Sequence, residues 1–445
     1  MNDSIELPTN PFPAQPVATY IDHAPDTTPG GLFTSAELEA LASRRFNPLA
    51  VLTAASLSSA LDGFAAGLLM PAARLWEEIA RRDETVATVK AKREEAVAMR
   101  PWHVAALEDT AEAHDHAAVL GAFYQRLRAA HATQRHTVGG MSLLVSQMME
   151  AVSFGYAAHH LIWQPDPARG VSLPGGRTVP GLGVTCEYVP LEFFEARTGE
   201  LRFLGLTLAF SGEVLAPDAW MVTSGPGLMR AGSILHYYKR LAQHDLINFS
   251  EKFGTPGLVV HTTAGKDSPE GKSAAGLARS LAGNYRGVVY GAAENRIEVV
   301  WPQGGTGGGD LPMTGVIDSC KRDLAALFLG ADLSTLSRGG DSAGASLQGE
   351  EQARRERADC ARISETLNAS LDAVVLRWYF GEGVTPRARL VIDAPMHEDR
   401  ALLGSLVQTL VAQGARVPVE AIATRLDVPL AREGQAVLSP GAGRG

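Results

Sequence analysis

The sequence predicts an α+β fold, mainly helical, and three patterns carry that expectation. Up to about residue 152, apolar residues recur at helical spacing. Between about 160 and 210, short apolar runs separated by turn residues replace that period. Beyond Pro226 the long helical segments return and bracket a short stretch of strand pattern. The chain has 445 residues, 45% hydrophobic and 20% charged, enough for about two to four domains around a real core.

Residues 1–34 are expected to form an extended arm. Pro8, Pro11, Pro13, Pro16, Pro25 and Pro29 stand there among few large apolar residues. Ser35 is expected to cap a first helix, with Glu37 in its first turn. Leu75, Ile79, Val86, Val89 and Val97 predict one helix from Pro71 to about Met99, ended by Arg100-Pro101-Trp102 because proline restricts the residue before it. Two further helices are read over about 115–130 and 137–152. Strands are read at His160–Trp163, Cys186–Phe194 and Leu201–Phe210, with a turn-rich stretch over 170–183.

A long helix is predicted over 226–253, with Pro226 at its first position and Gly254 and Pro256 as its stop. At 1.5 Å per residue it would be about 42 Å long. A small α/β segment follows: a strand at 257–263, a helix at 268–281 capped by Ser268, and strands at 288–290 and 297–301. Gly304–Gly309 reads as a hinge. A helix over 312–329, a polar loop over 331–345 and a helix over 347–380 come next. The tail carries a helix near 398–412, a short one after Pro418 and a frayed end.

Several function classes fall away. The formal net charge of −9 argues against a protein that grips nucleic acid by neutralising phosphates. The acidic start, Met1 to Glu6, is not expected to be a secretory signal. The most apolar stretch, Asn47–Ala73, is alanine-rich and interrupted by Asp62, so no membrane span is expected. Cys186, Cys320 and Cys360 are isolated and read as buried thiols in a reducing compartment.

Three motifs suggest chemistry. Gly340-Asp341-Ser342-Ala343-Gly344 fits G-x-S-x-G, the elbow that seats a serine nucleophile between a buried strand and a helix. The preceding Leu333–Gly339 is too polar for that strand, and only His397 follows, with Asp359, Asp372 and Asp393 as possible acids. A serine hydrolase at 340–344 is therefore kept only as the alternative function. Gly265–Ser273 resembles a phosphate loop, but five residues separate its glycines, and Pro269 and Glu270 lie inside. Among the histidines, His114/His116 and His131/His136 lack the i, i+4 spacing that brings two imidazoles together. The expectation is no catalytic residue, no metal and no cofactor.

The order of elements resembles that of bacteriophage portal proteins, and the sequence resembles the Mu-type portal family. Leu75–Asp83 through Lys92–Val97, followed by Pro101-Trp102, is similar to an early family segment. Gly155–Trp163 is similar to the run that leads into a family strand, with histidine where glutamate is common. Asn248–Pro256 and Asp359–Leu371 match two further motifs, and together the stretches extend from Leu75 to Leu426. Leu329-Gly330-Ala331-Asp332-Leu333 departs from the Gly-Gln-Thr type often found before the family's polar loop.

The resemblance implies a portal-like architecture. Its parts would be a wing at 35–225, stem helices at 226–253 and 312–329, a clip at 255–303, a tunnel loop at 330–346, a long helix at 347–380 and a crown at 381–445. It implies a homo-oligomeric ring, twelve subunits in the usual case, at one vertex of a viral capsid. That ring is a channel for DNA packaging and ejection. The implied partners are the large terminase subunit, a head–tail adaptor, the major capsid protein and double-stranded DNA passing without sequence specificity, and no membrane. The implied location is the virion, after assembly in the host bacterial cytoplasm. Arg338, Gly339, Gly340 and Ser342 would belong to the DNA-channel loop, and Lys266, Lys272, Arg279 and Arg286 to the docking clip. A non-viral oligomeric scaffold on the same fold is the other structural reading. An acidic ring repels DNA rather than holding it, which suits a conduit. Tyr237, Tyr238, Leu241 and Phe249 on the first stem helix are expected to be exposed and covered by a neighbouring copy.

Overall fold

The computed structural model describes residues 32–43, 47–174, 176–205, 211–253, 257–280, 286–300, 311–330, 342–394, 407–409 and 413. The chain divides into two compact units, residues 1–394 and 395–445. The first carries every element discussed below. Of the tail helix expected near 398–412, only 407–409 are described, and they are helical; the segment after Pro418 lies outside the described residues.

The arm expected over 1–34 is anchored at its end. Leu32 and Phe33 are buried, the Leu32 amide donates to Glu187 Oε2 at 3.0 Å, and the Phe33 ring lies 5.0 Å from Phe193. Thr34, not Ser35, caps helix α1 (Ser35–Ser43): its hydroxyl accepts from the Glu37 amide while Glu37 accepts from Thr34 N, a reciprocal box. Helix α2 (Ala54–Ala65) is capped in the same way by Thr53.

The helix read over 71–99 is two. Helix α3 (Leu69–Arg82) stops where Asp83 turns extended, and the Asp83 carboxylate accepts from the Thr85 and Val86 amides to start helix α4 (Glu84–Ala98). The apolar periodicity continues through the break, so periodicity alone could not show it. Trp76, fully buried, sits at the centre of the resulting layer, 4.7 Å from the Phe64 ring and stacked at 6.2 Å on Phe154.

Strand β1 (Trp102–Ala106) leads to helix α5 (Ala111–Arg126), which starts four residues before the expected position because Thr110 caps it. Strand β2 (Arg128–His131) takes in 128–130, read as helix; Val138–Gly139 is β3. Helices α6 (Met141–Met148) and α7 (Glu150–Phe154) follow. A long hairpin, β4 (Tyr156–Ser172) with β5 (Thr178–Val189), replaces the short strands expected there. Strands β6 (Phe194–Glu195), β7 (Arg202–Phe203) and β8 (Glu213–Val214) form a small antiparallel sheet, and β9 (Trp220–Ser224) pairs with β4. The order in the five-stranded sheet is β3-β2-β5-β4-β9.

Helix α8 (Met229–Phe253) starts three residues after the expected position, since Pro226 and Gly227, the latter at φ 64°, form the turn before it. Strand β10 (Gly257–Thr262), helix α9 (Pro269–Ser280), β11 (Arg286–Tyr290) and β12 (Arg296–Val300) make a separate sheet of order β11-β10-β12, with β10 parallel to β11 and antiparallel to β12. Helix α10 spans Pro312–Leu329, as the sequence predicts, and packs on α8 where Gly232 lets Leu324 and Phe328 approach. The glycine hinge at 304–309 lies outside the described residues.

Helix α11 (Ser342–Leu367) begins five residues before the predicted 347. A π turn at Asn368–Asp372 joins it to helix α12 (Ala373–Phe380). Strand β13 (Ala388–Ile392) pairs antiparallel with β1, from Trp102 opposite Ile392 to Ala106 opposite Ala388. Residues 388–392, within the stretch read as 381–445, belong to the first compact unit, which ends at Ala394.

Candidate functional site: the frame of the long helices

Helix α4 is the hub that binds the long helices to the body, and it does so with buried charge. At its N-terminus Lys239 of α8, fully buried, places Nζ 2.5 Å from Asp83 Oδ1 and 3.1 Å from Glu84 Oε1, while His236 Nδ1 lies 2.5 Å from Asp83 Oδ2. Burial alone would push the Asp83 carboxyl up. The His236 and Lys239 hydrogen bonds and the Val86 amide outweigh it and hold the group well below the usual carboxylate range. At mid-helix, Arg93 donates to the buried Asp359 of α11 at 2.8 Å and to the Phe328 carbonyl of α10 at 2.7 Å. Just beyond the helix end, Arg100 pairs with Glu356.

These contacts hold the end of α10 against α4 and the middle of α11. Helix α10 ends at Gly330 in the left-handed region, φ 83°. A Cβ there would stand 2.4 Å from Arg355 Nε, and Arg355 itself donates to the Leu327 carbonyl at 3.0 Å. The carbonyls of Leu327 and Phe328, which the helix leaves short of partners, thus each accept from a guanidinium. Arg338, Gly339 and Gly340 lie outside the described residues. Ser342, expected in the loop, is the first residue of α11.

The expected clip residues sit on one module. Lys272 and Arg279, seven apart on α9, are exposed, as is Lys266 in the turn before that helix; Arg286 opens β11. Ser268 Oγ accepts from the Gly271 amide at 3.0 Å, so the expected cap forms. A Cβ at Gly271 would stand 2.2 Å from the Gly265 carbonyl, so the segment that resembled a phosphate loop closes on itself. Leu277, Val289, Ile297 and Val299 are exposed on the same module.

On α8, Tyr238 and Leu241 are 53% and 47% exposed, as expected; Ile234 shares their face, and Ile247 is exposed on another. Tyr237 packs against the core instead, and Phe249 is half-buried. Val316 of α10 is also exposed.

The acids considered for a serine nucleophile serve elsewhere. Asp359 pairs with Arg93 and Arg362, Asp372 accepts from Tyr124 Oη at 2.6 Å, and Asp393 lies 3.0 Å from His103. His397 lies outside the described residues. Among the described residues no group of three or more His, Cys, Asp or Glu is arranged to hold a metal ion, and no helix is long and apolar enough to cross a membrane. Sequence reasoning missed the ion pairs that tie this region to α8 and α11 because they join residues 150 to 270 positions apart; the one local signal was an acid, Asp83, at an N-cap position.

The helix pair with its exposed apolar residues is joined in the chain through a small α/β module. The chain belongs to the portal protein family of Mu bacteriophage, whose model matches residues 73–428. It is accordingly a structural portal protein of a DNA-channel ring, not an enzyme. No curated protein matches the chain. Among solved structures it is similar to a chain in the neck of an empty gene transfer agent particle computed with C6 symmetry: 16% identity, 80% of this chain and 94% of that chain, TM-score 0.48. It is also similar to a chain in the virion of a native gene transfer agent particle (15%, 88% and 98%, TM-score 0.47). A third similar chain is in the neck of a native particle computed with C12 symmetry (14%, 88% and 98%, TM-score 0.47).

Proposed function

We propose that twelve copies of this chain form the portal ring at one capsid vertex, through which double-stranded DNA is packaged and ejected without sequence specificity. The observation that carries this reading is the family match over residues 73–428. Residues 35–225 act as the wing, 226–253 and 312–329 as the stem helices, 255–303 as the clip, 330–346 as the channel loop, 347–380 as the long helix behind it, and 381–445 as the crown. The exposed stripe of Ile234, Tyr238 and Leu241 supports subunit contact along the stem. The clip docks the large terminase subunit and later the head–tail adaptor, with Lys266, Lys272, Arg279 and Arg286 at that surface. The wing meets the major capsid protein, and Arg338 touches DNA phosphates from the loop. Assembly takes place in the host bacterial cytoplasm before the ring enters the virion.

Mass photometry and negative-stain imaging of the purified chain test the reading. Closed rings of about twelve 47.2-kDa subunits are expected. A monomer at every concentration and salt tested would refute it.

A further inference from the structure

The hairpin of β4 and β5 gives one face to the core and leaves part of the other open. Leu182, Val184 and Cys186 of β5 are buried in the core with Phe123 and Tyr124 of α5. Alternation puts Gly181, Gly183, Thr185, Glu187 and Val189 on the opposite face. Across from the last four stand Gln164, Ile162, His160 and Ala158 of β4. Glu187, Val189, Ala158 and His160 are buried, whereas Thr185, Ile162 and Gly183 are half-buried and Gln164 is exposed. The face is thus covered at the end of β5 and opens toward its start.

The N-terminal arm enters where that cover stops. The Leu32 amide donates to Glu187 Oε2 at 3.0 Å, and His160 Nδ1 stands 3.9 Å from the same oxygen. One residue on, Phe33 lies against Phe193, beyond the end of β5, and its carbonyl accepts from Arg135 at 3.0 Å. The arm therefore runs in the direction of β5, and the residues before Leu32 lead back over the open part of the face. An extended chain and a strand both advance about 3.3 Å per residue. Counted back equally from Leu32 and Glu187, Thr28 falls level with Gly183, Asp26 with Gly181 and Asp22 with Arg177.

The charges match along this path. Arg126 lies across Gly181, where a Cβ would meet its Nη1. Arg128 stands opposite Thr185, and Arg177, just before β5, is exposed like Arg128. None of these three arginines forms an ion pair with a described residue, while Asp166, opposite Gly181, already faces Arg169 at 3.8 Å. Residues 1–31, which lie outside the described residues, hold Asp3, Glu6, Asp22 and Asp26 and no lysine or arginine. Gly30 and Gly31 carry no side chain to hold the arm off the sheet.

We propose that this open face is the docking site of the chain's own arm, residues 22–31, with Asp26 meeting Arg126 and Asp22 meeting Arg177. The contact is made within one chain and owes nothing to a neighbouring copy.

Cross-linking of the full chain with a short bismaleimide tests the site. A Thr28→Cys/Gln164→Cys chain is compared with Thr28→Cys/Ser142→Cys, whose second position is exposed on α6, the helix packed against the other face. The native cysteines are buried. The first pair is expected to link within one chain, giving a product that runs as a monomer on a denaturing gel, and the second is not. Asp22→Lys with Asp26→Lys should slow the first reaction about fivefold. Adding Arg177→Asp to Asp22→Lys should recover part of the rate, which general misfolding would not do. Equal rates for the two pairs, links between chains, or a rate indifferent to the two lysines would overturn the proposal.

Discussion

Lys239 and Asp83 form a pair with no exposed side-chain surface, so removing one partner strands the other. Lys239→Met is expected to cost about 3–5 kcal/mol in chemical denaturation, whereas a Lys239→Met/Asp83→Asn double variant should recover part of that loss. Buried titrating groups also set the pH response, and they oppose one another. Burial pushes the His159 imidazole down to about 3, and both its ring nitrogens lack partners. Its contribution is complete above the ordinary histidine value and is lost as pH falls toward 3. Burial pushes the Asp372 carboxyl up to about 6, against its bonds from Tyr124 and the Leu390 amide. That group penalises folding when ionised, so its contribution favours the fold below about 4 and fades as pH rises through 6. The His159 shift is the larger of the two, and Asp83, held low, adds a further loss on acidification below its ordinary value. Glu94, pushed up to about 8 by burial and the Glu150 charge, works against His159 and favours the fold as pH falls. Relative to the parent chain, His159→Phe should raise the thermal midpoint more at pH 4 than at pH 7, and Asp372→Asn should lower it at pH 4 relative to pH 6. A His159→Phe chain with an unchanged profile would show that another group governs it.

Elements were legible where a local signal and the tertiary environment agree. Helix α10 matches its predicted span, and α9 begins where Ser268 and Pro269 place it. The clip-like order of strand, helix and two strands was legible for the same reason. What was not legible depends on distant partners. The α3–α4 break occurs because Asp83 meets Lys239 and His236 from another helix, and the apolar period runs on unaltered across it. Pairing of β1 with β13 joins residues almost 300 apart, so no local pattern places 388–392 in the first unit. The candidate loop was legible as a polar stretch, but its frame was not, since Arg93 and Arg355 reach the last carbonyls of α10 from two other helices. Gly330 shows the consequence of that frame. Alanine there must adopt φ near 83° and displace the Arg355 side chain from Leu327. Gly330→Ala is expected to lose about 1–3 kcal/mol, read as a lower thermal midpoint, with faster amide exchange confined to the end of α10.

At the scale of the whole molecule, assembly multiplies what one chain carries. A net charge of −9 repeated around a ring makes a surface that repels DNA at long range, so a duplex in the channel is held loosely and can slide. On the proposed reading the loop supplies the exception. Arg338 is the one cation of 331–345 in the sequence, set among Asp332, Asp341 and small residues. The α10 end of that loop starts where Arg355 holds the Leu327 carbonyl. Removing the cation should act on DNA and not on assembly, because the ring contacts proposed here lie on α8. Tyr238→Asp with Leu241→Asp is the converse case: it should abolish rings, while the single chain, in which both side chains are already exposed, keeps its midpoint. Arg338→Ala is expected to leave ring mass unchanged and to reduce DNA retention in packaged particles. The deficit should be greatest at low salt and shrink as salt screens the phosphate contact in the parent ring. Ser342→Ala, at the first turn of α11, should leave both ring and retention unchanged. Retention assays across a salt series on the two variants decide the matter. An Arg338→Ala deficit that does not vary with salt would place the effect in the shape of the loop rather than in its charge.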